Sequence, residues 1–356
     1  MSGRGGDEGV FLSCLKHLDE HTNVKLLLRV WGPRFEFAVR LILVATFLDD
    51  SFRVATHFSE HTKQISEGYL KLLAATAPGL VSALASATLV IGLLAQFLGS
   101  LCLIALQYPD YATKALIGWT IVQPVLYAQL TNSEFVAESL SLVGGLLILR
   151  AHLSDKANGD SWRANEAFLA RTQLLGRLLI PAVYLYHAGR ILLNNLAGAQ
   201  RGPSQSLALF FISKTTLGCR LILGCALLLG CTLVAFGLKS RAVALLLAIL
   251  NLGFVCHQHP FFCFVWREGG EWKYDEAKMK MSRLHVAQPQ GESPDDFEPW
   301  HLLDLHQYYF FQGLSTTGAL LLLVQFGPGE IAVQADEVLL GDVQMARDYR
   351  PVPCNA

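Results

Sequence analysis

Charge is scarce in this chain. Only 16% of its 356 residues are Asp, Glu, Lys or Arg, against roughly 25% in an ordinary soluble domain. Three of the longest stretches without any charge run from Leu72 to Pro109, from Leu221 to Leu238 and from Ala242 to Trp266. Apolar stretches of about 18 residues or more can cross a hydrocarbon core about 30 Å thick. The chain is therefore predicted to be a polytopic membrane protein and not a set of soluble domains.

Several functional motifs are also missing from the sequence. It has no Cys-x-x-Cys pair, no glycine-rich phosphate loop and no nucleophile elbow, so no redox, nucleotide or acyl-transfer site is expected. The net charge of −1 and the lack of a basic patch with interleaved aromatics argue against nucleic-acid binding. Most of the eight cysteines lie in apolar runs and behave as small hydrophobes. Cys256, His257, His259 and Cys263 have no familiar zinc spacing, and we expect no metal site there.

Hydropathy predicts an all-α fold with about eight transmembrane helices. Six have apolar cores, whereas charged residues interrupt Phe35–Phe58 and Leu174–Leu196. The six are expected at about 80–106, 115–133, 135–149, 219–238, 241–262 and 308–327. A polar N-terminal arm (1–34) and a polar tail (331–356) flank the membrane domain (35–330).

The two halves of the membrane domain resemble each other. Arg40 through Leu43 align without gaps onto Arg177 through Ile180, and the same alignment pairs Asp50 with His187 and Arg53 with Arg190. At a larger offset, Val143-Gly144-Gly145 resembles Thr317-Gly318-Ala319. The sequence therefore predicts two parallel four-helix repeats, at about 35–150 and 174–330, with an inserted loop at 264–303. Chance similarity between apolar segments is the alternative.

Lys and Arg residues favour a cytosolic N-terminus. With eight spans, the N-terminal arm, the connection Arg150–Gln173 and the turn with Lys239 and Arg241 share one side and are basic. The basic residues between Arg267 and Arg283 run against this orientation.

Charged and polar residues in the two weak spans are the candidate functional residues. An ionised side chain at mid-membrane costs roughly 2.5–3.5 kcal/mol, so such groups usually face a bundle interior or an aqueous cavity. One interpretation is a polar site between the repeats; the other places these groups at the membrane boundary, where long side chains reach water. The residues concerned are Arg40, Asp49, Asp50 and Arg53 in the first weak span, and Arg177, His187 and Arg190 in the second.

Several segments resemble those of the surfeit-locus-four family, and they occur in the same order along the chain. They begin with Val39-Arg40-Leu41 and Phe47-Leu48-Asp49-Asp50, and continue with Leu140 through Leu147 and Gly237 through Ala242. The most specific is Tyr308-Tyr309-Phe310-Phe311-Gln312, followed by Gly318-Ala319-Leu320 and Phe326-Gly327-Pro328-Gly329.

This resemblance implies a cargo receptor of the early secretory pathway, in the endoplasmic reticulum membrane and the intermediate compartment before the Golgi. Such a receptor binds soluble secretory proteins on the lumenal side and loads them into coat-protein-II vesicles. Catalysis and cofactors are not implied, and homo-oligomerisation is left open. The expected cargo-binding residues are Asp49, Asp50, Arg53, His187, Arg190, Tyr308 and Gln312, whereas Arg40 and Arg177 are expected to be structural intramembrane charges.

The chain departs from the family pattern at three places. Its C-terminus lacks the usual dilysine retrieval signal, the segment after Phe264 is longer, and Tyr309 stands where an acidic residue is common. The repeat also resembles the DoxX-type fold. A membrane redox protein or a small-solute transporter is therefore the alternative function.

Overall fold

The computed structural model describes residues 24–68, 77–158, 166–196, 217–269, 271–275 and 299–333. Almost all regular structure in these segments is helical, which confirms the predicted all-α fold. A 3-10 turn (Phe261–Cys263) and a two-stranded hairpin follow the helix Ser240–Gln258. The helices are α1 (Val24–Thr56), α2 (Phe58–Glu67), α3 (Pro78–Ala105), α4 (Pro109–Leu126), α5 (Ser133–Asn158), α6 (Glu166–Leu179), α7 (Ala182–Leu196), α8 (Leu217–Phe236), α9 (Ser240–Gln258) and α10 (Pro299–Phe326).

Several helices have the length and composition of membrane spans. Within the described segments, four qualify on both criteria, in α3, α5, α9 and α10, and α8 is a shorter apolar helix. Large apolar side chains point outward from these helices, among them Ile91, Ile222 and Ile249, each more than half exposed. Such a surface is stable against lipid tails and not against water. The chain is therefore a polytopic membrane protein, and the number of eight crossing helices stays a prediction.

Two helix boundaries differ from the sequence expectation because charged residues continue the helices. The span expected at 115–133 is α4, which starts at Pro109, a favoured first position, and ends at Leu126. Asp110 in its first turn binds Lys114 and accepts a hydrogen bond from Arg150 Nε at 3.0 Å. The expected connection Arg150–Gln173 is mostly helical, since α5 runs to Asn158 and α6 begins at Glu166.

The second weak span is broken where the first one is continuous. Ile180 and Pro181 separate α6 from α7, because proline has no N–H to donate and its ring clashes with the preceding turn. The Val183 N–H donates instead to Ser141 Oγ of α5, at 3.2 Å. This hydrogen bond from α7 to a side chain of α5 holds the start of α7 in place after the break.

Helices α5 and α10 form the centre of the bundle. Helix α10 packs against α1 and α9, α5 packs against α4, α6 and α7, and the two central helices pack against each other. Their close approach depends on residues without large side chains. Gly145 lies against Ala319, so that a Cβ on Gly145 would be 2.6 Å from the Ala319 Cβ. Small residues at such crossings let helix backbones approach where no hydrophobic effect acts between helices.

Matching contacts occur at positions that the repeat alignment pairs. A Cβ on Gly144 would meet Ile180 N at 2.7 Å, and a Cβ on Gly318 would meet Leu43 N at 2.7 Å. Hydrogen bonds repeat in the same way: Ser141 accepts from Val183 N, and Ser315 Oγ accepts from Thr46 N at 3.0 Å. Two repeats related by an axis along the membrane normal would give this arrangement, and the two-repeat organisation stays a prediction.

The expected loop 264–303 contains regular structure at both ends. Strands β1 (Val265–Glu268) and β2 (Glu271–Tyr274) form an antiparallel hairpin, and α10 already begins at Pro299. Lys273 Nζ donates to Glu268 Oε2 at 2.8 Å, and this bond lowers the pKa of the Glu268 carboxyl. Residues 276–298 lie outside the described segments, as do residues 1–23 of the N-terminal arm and residues 334–356 of the tail.

Candidate functional site

Two cavities lie at one end of the bundle, on opposite sides of its central helices. Cavity A has a volume of about 70 Å³ and lies between α5, α7, α9 and α10. Cavity B has a volume of about 10 Å³ and lies between α1, α3, α4, α5 and α10. The C-terminal part of α1 and the N-terminal parts of α5 and α10 reach this end. Helices α5 and α10 therefore contribute walls to both cavities.

Arg53 is the centre of a charged cluster beside cavity B. Its guanidinium lies 3.5 Å from Asp304 Oδ2 and 3.9 Å from Asp50 Oδ1, and its Cζ lies 4.9 Å from the centroid of the Tyr308 ring. Asp50 also accepts a hydrogen bond from Gln123 Nε2 at 3.2 Å. The cluster joins α1 to α4 and α10, and each charge in it has an opposite charge close by.

Further hydrogen bonds attach α1 to α10. Gln307 Nε2 donates to Asp49 Oδ1, and Thr46 Oγ1 donates to Gln312 Oε1 at 3.0 Å. Ser315 Oγ also donates to the Ile42 carbonyl at 3.2 Å. Buried polar groups need such partners because an unsatisfied one costs about 1–3 kcal/mol. Asp49 and Gln312 therefore fix the position of α10 against α1.

Cavity A contains charged groups from both predicted repeats. Arg190 NH1 donates a hydrogen bond to Tyr186 Oη at 3.0 Å, and it lies 3.6 Å from Glu134 Oε2. Glu138 lines the same cavity one turn further along α5. Two carboxylates, one guanidinium and the imidazoles of His187 and His259 thus share this space.

Polar contacts also join α9 to α10 at cavity A. Asn251 Nδ2 donates to the Gly313 carbonyl at 2.7 Å and to Thr317 Oγ1 at 2.9 Å. His259 Nδ1 lies 3.1 Å from His306 Nδ1, and the His259 ring stacks on Tyr309 with centroids 5.4 Å apart. The wall formed by these two helices is held by hydrogen bonds as well as by apolar packing.

The predicted site residues are divided between the two cavities. Asp50, Arg53 and Tyr308 come together at cavity B, whereas His187 and Arg190 line cavity A. Between the predicted repeats the structure thus has two spaces, which α5 and α10 separate. Of the residues that line cavity A, sequence reasoning selected only His187 and Arg190. For Glu134 and Glu138 the available signal was their four-residue spacing. The other polar lining residues that it missed include Tyr184, Asn251, His259 and Tyr309.

The two residues expected to be structural charges lie away from both cavities. Arg40 is buried and pairs with Glu36 one turn earlier, at 3.5 Å. Arg177 is 1% exposed and donates to the carbonyls of Pro328 and Ile331. Arg177 thereby fixes the first residues of the tail against α6.

The sequence is similar to those of several known proteins. The match to the surfeit locus protein 4 homolog of Schizosaccharomyces pombe is 24% identical and covers 85% of this chain and 81% of the relative. ER-derived vesicles protein ERV29 of Saccharomyces cerevisiae is 24% identical over 83% of this chain and 74% of its own length. The surfeit locus protein 4 homolog of Drosophila melanogaster is 25% identical over 83% of this chain and 86% of its own.

A family model gives the same result for the helical domain. The model of the SURF4 family matches residues 26–265, from the start of α1 to the start of the hairpin. No solved structure matches the fold at a significant level. Because the family model covers more than half of the chain, the protein belongs to the SURF4 family.

Proposed function

We propose that this protein is a cargo receptor for transport from the endoplasmic reticulum to the Golgi. It binds soluble secretory proteins on the lumenal side and loads them into coat-protein-II vesicles. Its partners are these cargo proteins, coat components and the bilayer. The protein resides in the membranes of the endoplasmic reticulum and the intermediate compartment, with a cytosolic N-terminus. Membership of the SURF4 family and the name of the yeast relative, an ER-derived vesicles protein, support this function.

The observation that carries the proposal is that both cavities lie at the same end of the bundle. Helix α1 starts on the cytosolic side in the proposed orientation and ends at Thr56, so the end of the bundle that holds both cavities faces the lumen. A receptor for soluble secretory proteins needs its recognition surface on that side. The opposite end, with the tail segment held by Arg177, faces the cytosol, where coat proteins assemble.

The lining of cavity A suits an apolar polypeptide segment. Phe254, Val255 and Tyr309 supply apolar and aromatic surface, and Gly313 lets the Val255 side chain pack closely against the backbone of α10. Ligand sites in proteins commonly combine such a lining with a few polar groups that fix orientation. Arg190 and the other polar groups at the cavity would orient the backbone of the bound segment.

The residues at cavity B have a different role in the proposed function. Arg53 and Asp50 extend the polar rim across the central helices, and Asp49, Tyr308 and Gln312 hold α10 in position between the two cavities. A change in Asp50 therefore acts on cargo binding through the shared wall. The DoxX-like redox or transport function receives no support from the family match and is not favoured.

A double substitution tests the proposed site. Asp50→Asn keeps the shape of its side chain, Arg190→Gln replaces the guanidinium with a shorter neutral amide, and together they remove both charges. We expect cargo crosslinking in sealed endoplasmic reticulum membranes to fall several-fold while the abundance of the receptor stays the same. The matched control is Asp110→Asn with Lys114→Gln, an ion pair at the other end of the bundle. Equal crosslinking for the two double variants would reject the site assignment.

A further inference from the structure

The hairpin β1–β2 closely follows the membrane span of α9 in the chain. Within that helix, Leu246 and Ile249 are each more than half exposed, as the lipid-facing side chains of a membrane span are. Exposed aromatic side chains continue beyond the helix, since Phe262 is 57% exposed and Trp266, the second residue of β1, is 43% exposed. Exposed apolar side chains thus extend along the chain from the span into the hairpin.

The length of α9 sets the depth of the hairpin. The helix has 19 residues and is about 28 Å long at 1.5 Å per residue, which nearly equals a hydrocarbon core about 30 Å thick. Arg241 marks its polar start, and the apolar span extends through the 3-10 turn to Cys263. The headgroup layer beyond the hydrocarbon is roughly 5–7 Å thick on each side. Because β1 starts at Val265, just after Cys263, the first residues of the hairpin lie at the depth of this layer.

Contacts with α10 hold the hairpin in place. Phe264 is 4% exposed and packs edge-on against His306, with ring centroids 4.9 Å apart. Asp275 N donates to the Phe264 carbonyl at 2.9 Å, which closes the base of the hairpin. In the 3-10 turn, Phe261 packs against Phe310 with centroids 5.2 Å apart. The helix bundle therefore fixes the height of the hairpin relative to the membrane.

The residue types change from the base of the hairpin to its tip. Val265 pairs with Tyr274 at the base, where Tyr274 is 38% exposed and Trp266 follows on β1. Tyr and Trp are the residues most enriched at the membrane–water boundary, because their rings are apolar at one end and polar at the other. Nearer the tip, Lys273 Nζ donates to the exposed Glu268 carboxylate. The base thus suits lipid headgroups and the tip suits water.

The charges of the hairpin exclude attraction to anionic lipid as the basis of this contact. Over residues 265–274, the basic residues Arg267 and Lys273 are balanced by Glu268 and Glu271. Segments that bind anionic headgroups by charge carry an excess of Lys and Arg. The aromatic rings are therefore the groups that would bind the bilayer.

We propose that the base of the β1–β2 hairpin lies in the headgroup layer of the bilayer, with Trp266 and Tyr274 as its interfacial anchors beside Phe262. The partner of this surface is zwitterionic phospholipid, in the leaflet on the side of both cavities. The hairpin thereby holds the adjoining ends of α9 and α10 at a fixed depth. This role belongs to the segment in which the chain departs from the family pattern, and it goes beyond the proposed receptor function.

Fluorescence quenching by brominated lipid tests this proposal on the full-length protein in nanodiscs. The nanodiscs contain either phosphatidylcholine or phosphatidylcholine brominated near the headgroup end of its acyl chains. Trp266 is one of six tryptophans, so its signal is the difference between the wild type and Trp266→Phe, a change that keeps an aromatic ring. We expect the brominated lipid to remove at least about half of this signal, as for a Trp at the membrane boundary. Replacing about one third of the lipid with phosphatidylserine should leave the result unchanged.

Two variants made in the Trp266→Phe background calibrate the measurement. Leu246→Trp places an indole on the exposed face of α9 and should be quenched by the brominated lipid and not by iodide in the water. Glu268→Trp places an indole at the exposed tip of the hairpin and should show the opposite behaviour. Trp266 is expected to resemble Leu246→Trp in its response to brominated lipid and to be less sensitive to iodide than Glu268→Trp.

Two results would overturn the proposal. If the Trp266 signal is unaffected by brominated lipid and as sensitive to iodide as that of Glu268→Trp, the hairpin stands in water, where a soluble protein could contact it. If quenching by brominated lipid appears only with phosphatidylserine, the contact depends on charge and not on the aromatic rings. Neither result bears on the receptor function, because the measurement involves no cargo.

Discussion

Replacing Gly318 with alanine is expected to destabilise the helix bundle severely. The new Cβ would lie 2.7 Å from Leu43 N and 2.9 Å from Leu43 Cα, both of which are backbone atoms of α1. A side chain could rotate away, but a backbone can yield only if the two helices separate. Overpacking of this kind usually costs about 1–3 kcal/mol, and more where the neighbour cannot move. Gly144→Ala, which meets Ile180 N at 2.7 Å, should have a similar effect.

The measurement is the thermal midpoint of the purified variants in detergent. It is read from the loss of the monodisperse peak in size-exclusion chromatography after heating. Gly189→Ala is the matched control, since its Cβ would meet nothing within 4 Å. Alanine is a better helix former than glycine by up to about 1 kcal/mol, so this control should match or exceed the wild type. Equal midpoints for Gly318→Ala and Gly189→Ala would contradict the close packing of α1 on α10.

Arg177→Ala should produce the second large effect, at the opposite end of the bundle. Arg177 is almost fully buried and donates to the carbonyls of Pro328 and Ile331. Hydrogen bonds from a charged group contribute about 1.5–3 kcal/mol, and removing this donor leaves the carbonyl of the buried Pro328 without its partner. The thermal midpoint should fall, and the chain just beyond Gly329 should become susceptible to protease in intact membranes.

Arg171→Ala provides the comparison for this variant. Arg171 lies on the same helix but is exposed, and surface substitutions usually change stability by less than about 0.5 kcal/mol. Cleavage beyond Gly329 at the same rate in wild type and Arg177→Ala would show that Arg177 does not hold the tail segment.

The apolar spans were predictable because their signal is local. Helices α3, α8 and α9 coincide closely with stretches that lack charge, since a run of apolar residues is sufficient to specify a span. The span predicted at 115–133 is displaced from α4 because Lys114 ends the preceding charged segment in the sequence, whereas the helix includes both Asp110 and Lys114. In the structure they pair with each other within the helix. The hairpin after α9 was missed because its strands have only four residues each.

The candidate site was only partly predictable, because it depends on which helix faces meet. Charge inside a weak span was enough to select Asp50, Arg53 and Arg190. The separation of these residues into two cavities follows from the crossing of α5 and α10. This crossing cannot be predicted from the spacing of residues in the sequence. Glu138 has an ordinary position in the sequence, and only the fold places it in the same cavity as His187 and Arg190.

The most direct test of the receptor function is to identify what the protein contacts in sealed endoplasmic reticulum membranes. A tagged version is crosslinked to its neighbours, purified and analysed by mass spectrometry, with the Asp50→Asn, Arg190→Gln variant alongside. The proposed function predicts enrichment of newly made soluble secretory proteins with the wild type, and their loss with the variant. Recovery of only membrane enzymes or lipids would contradict it.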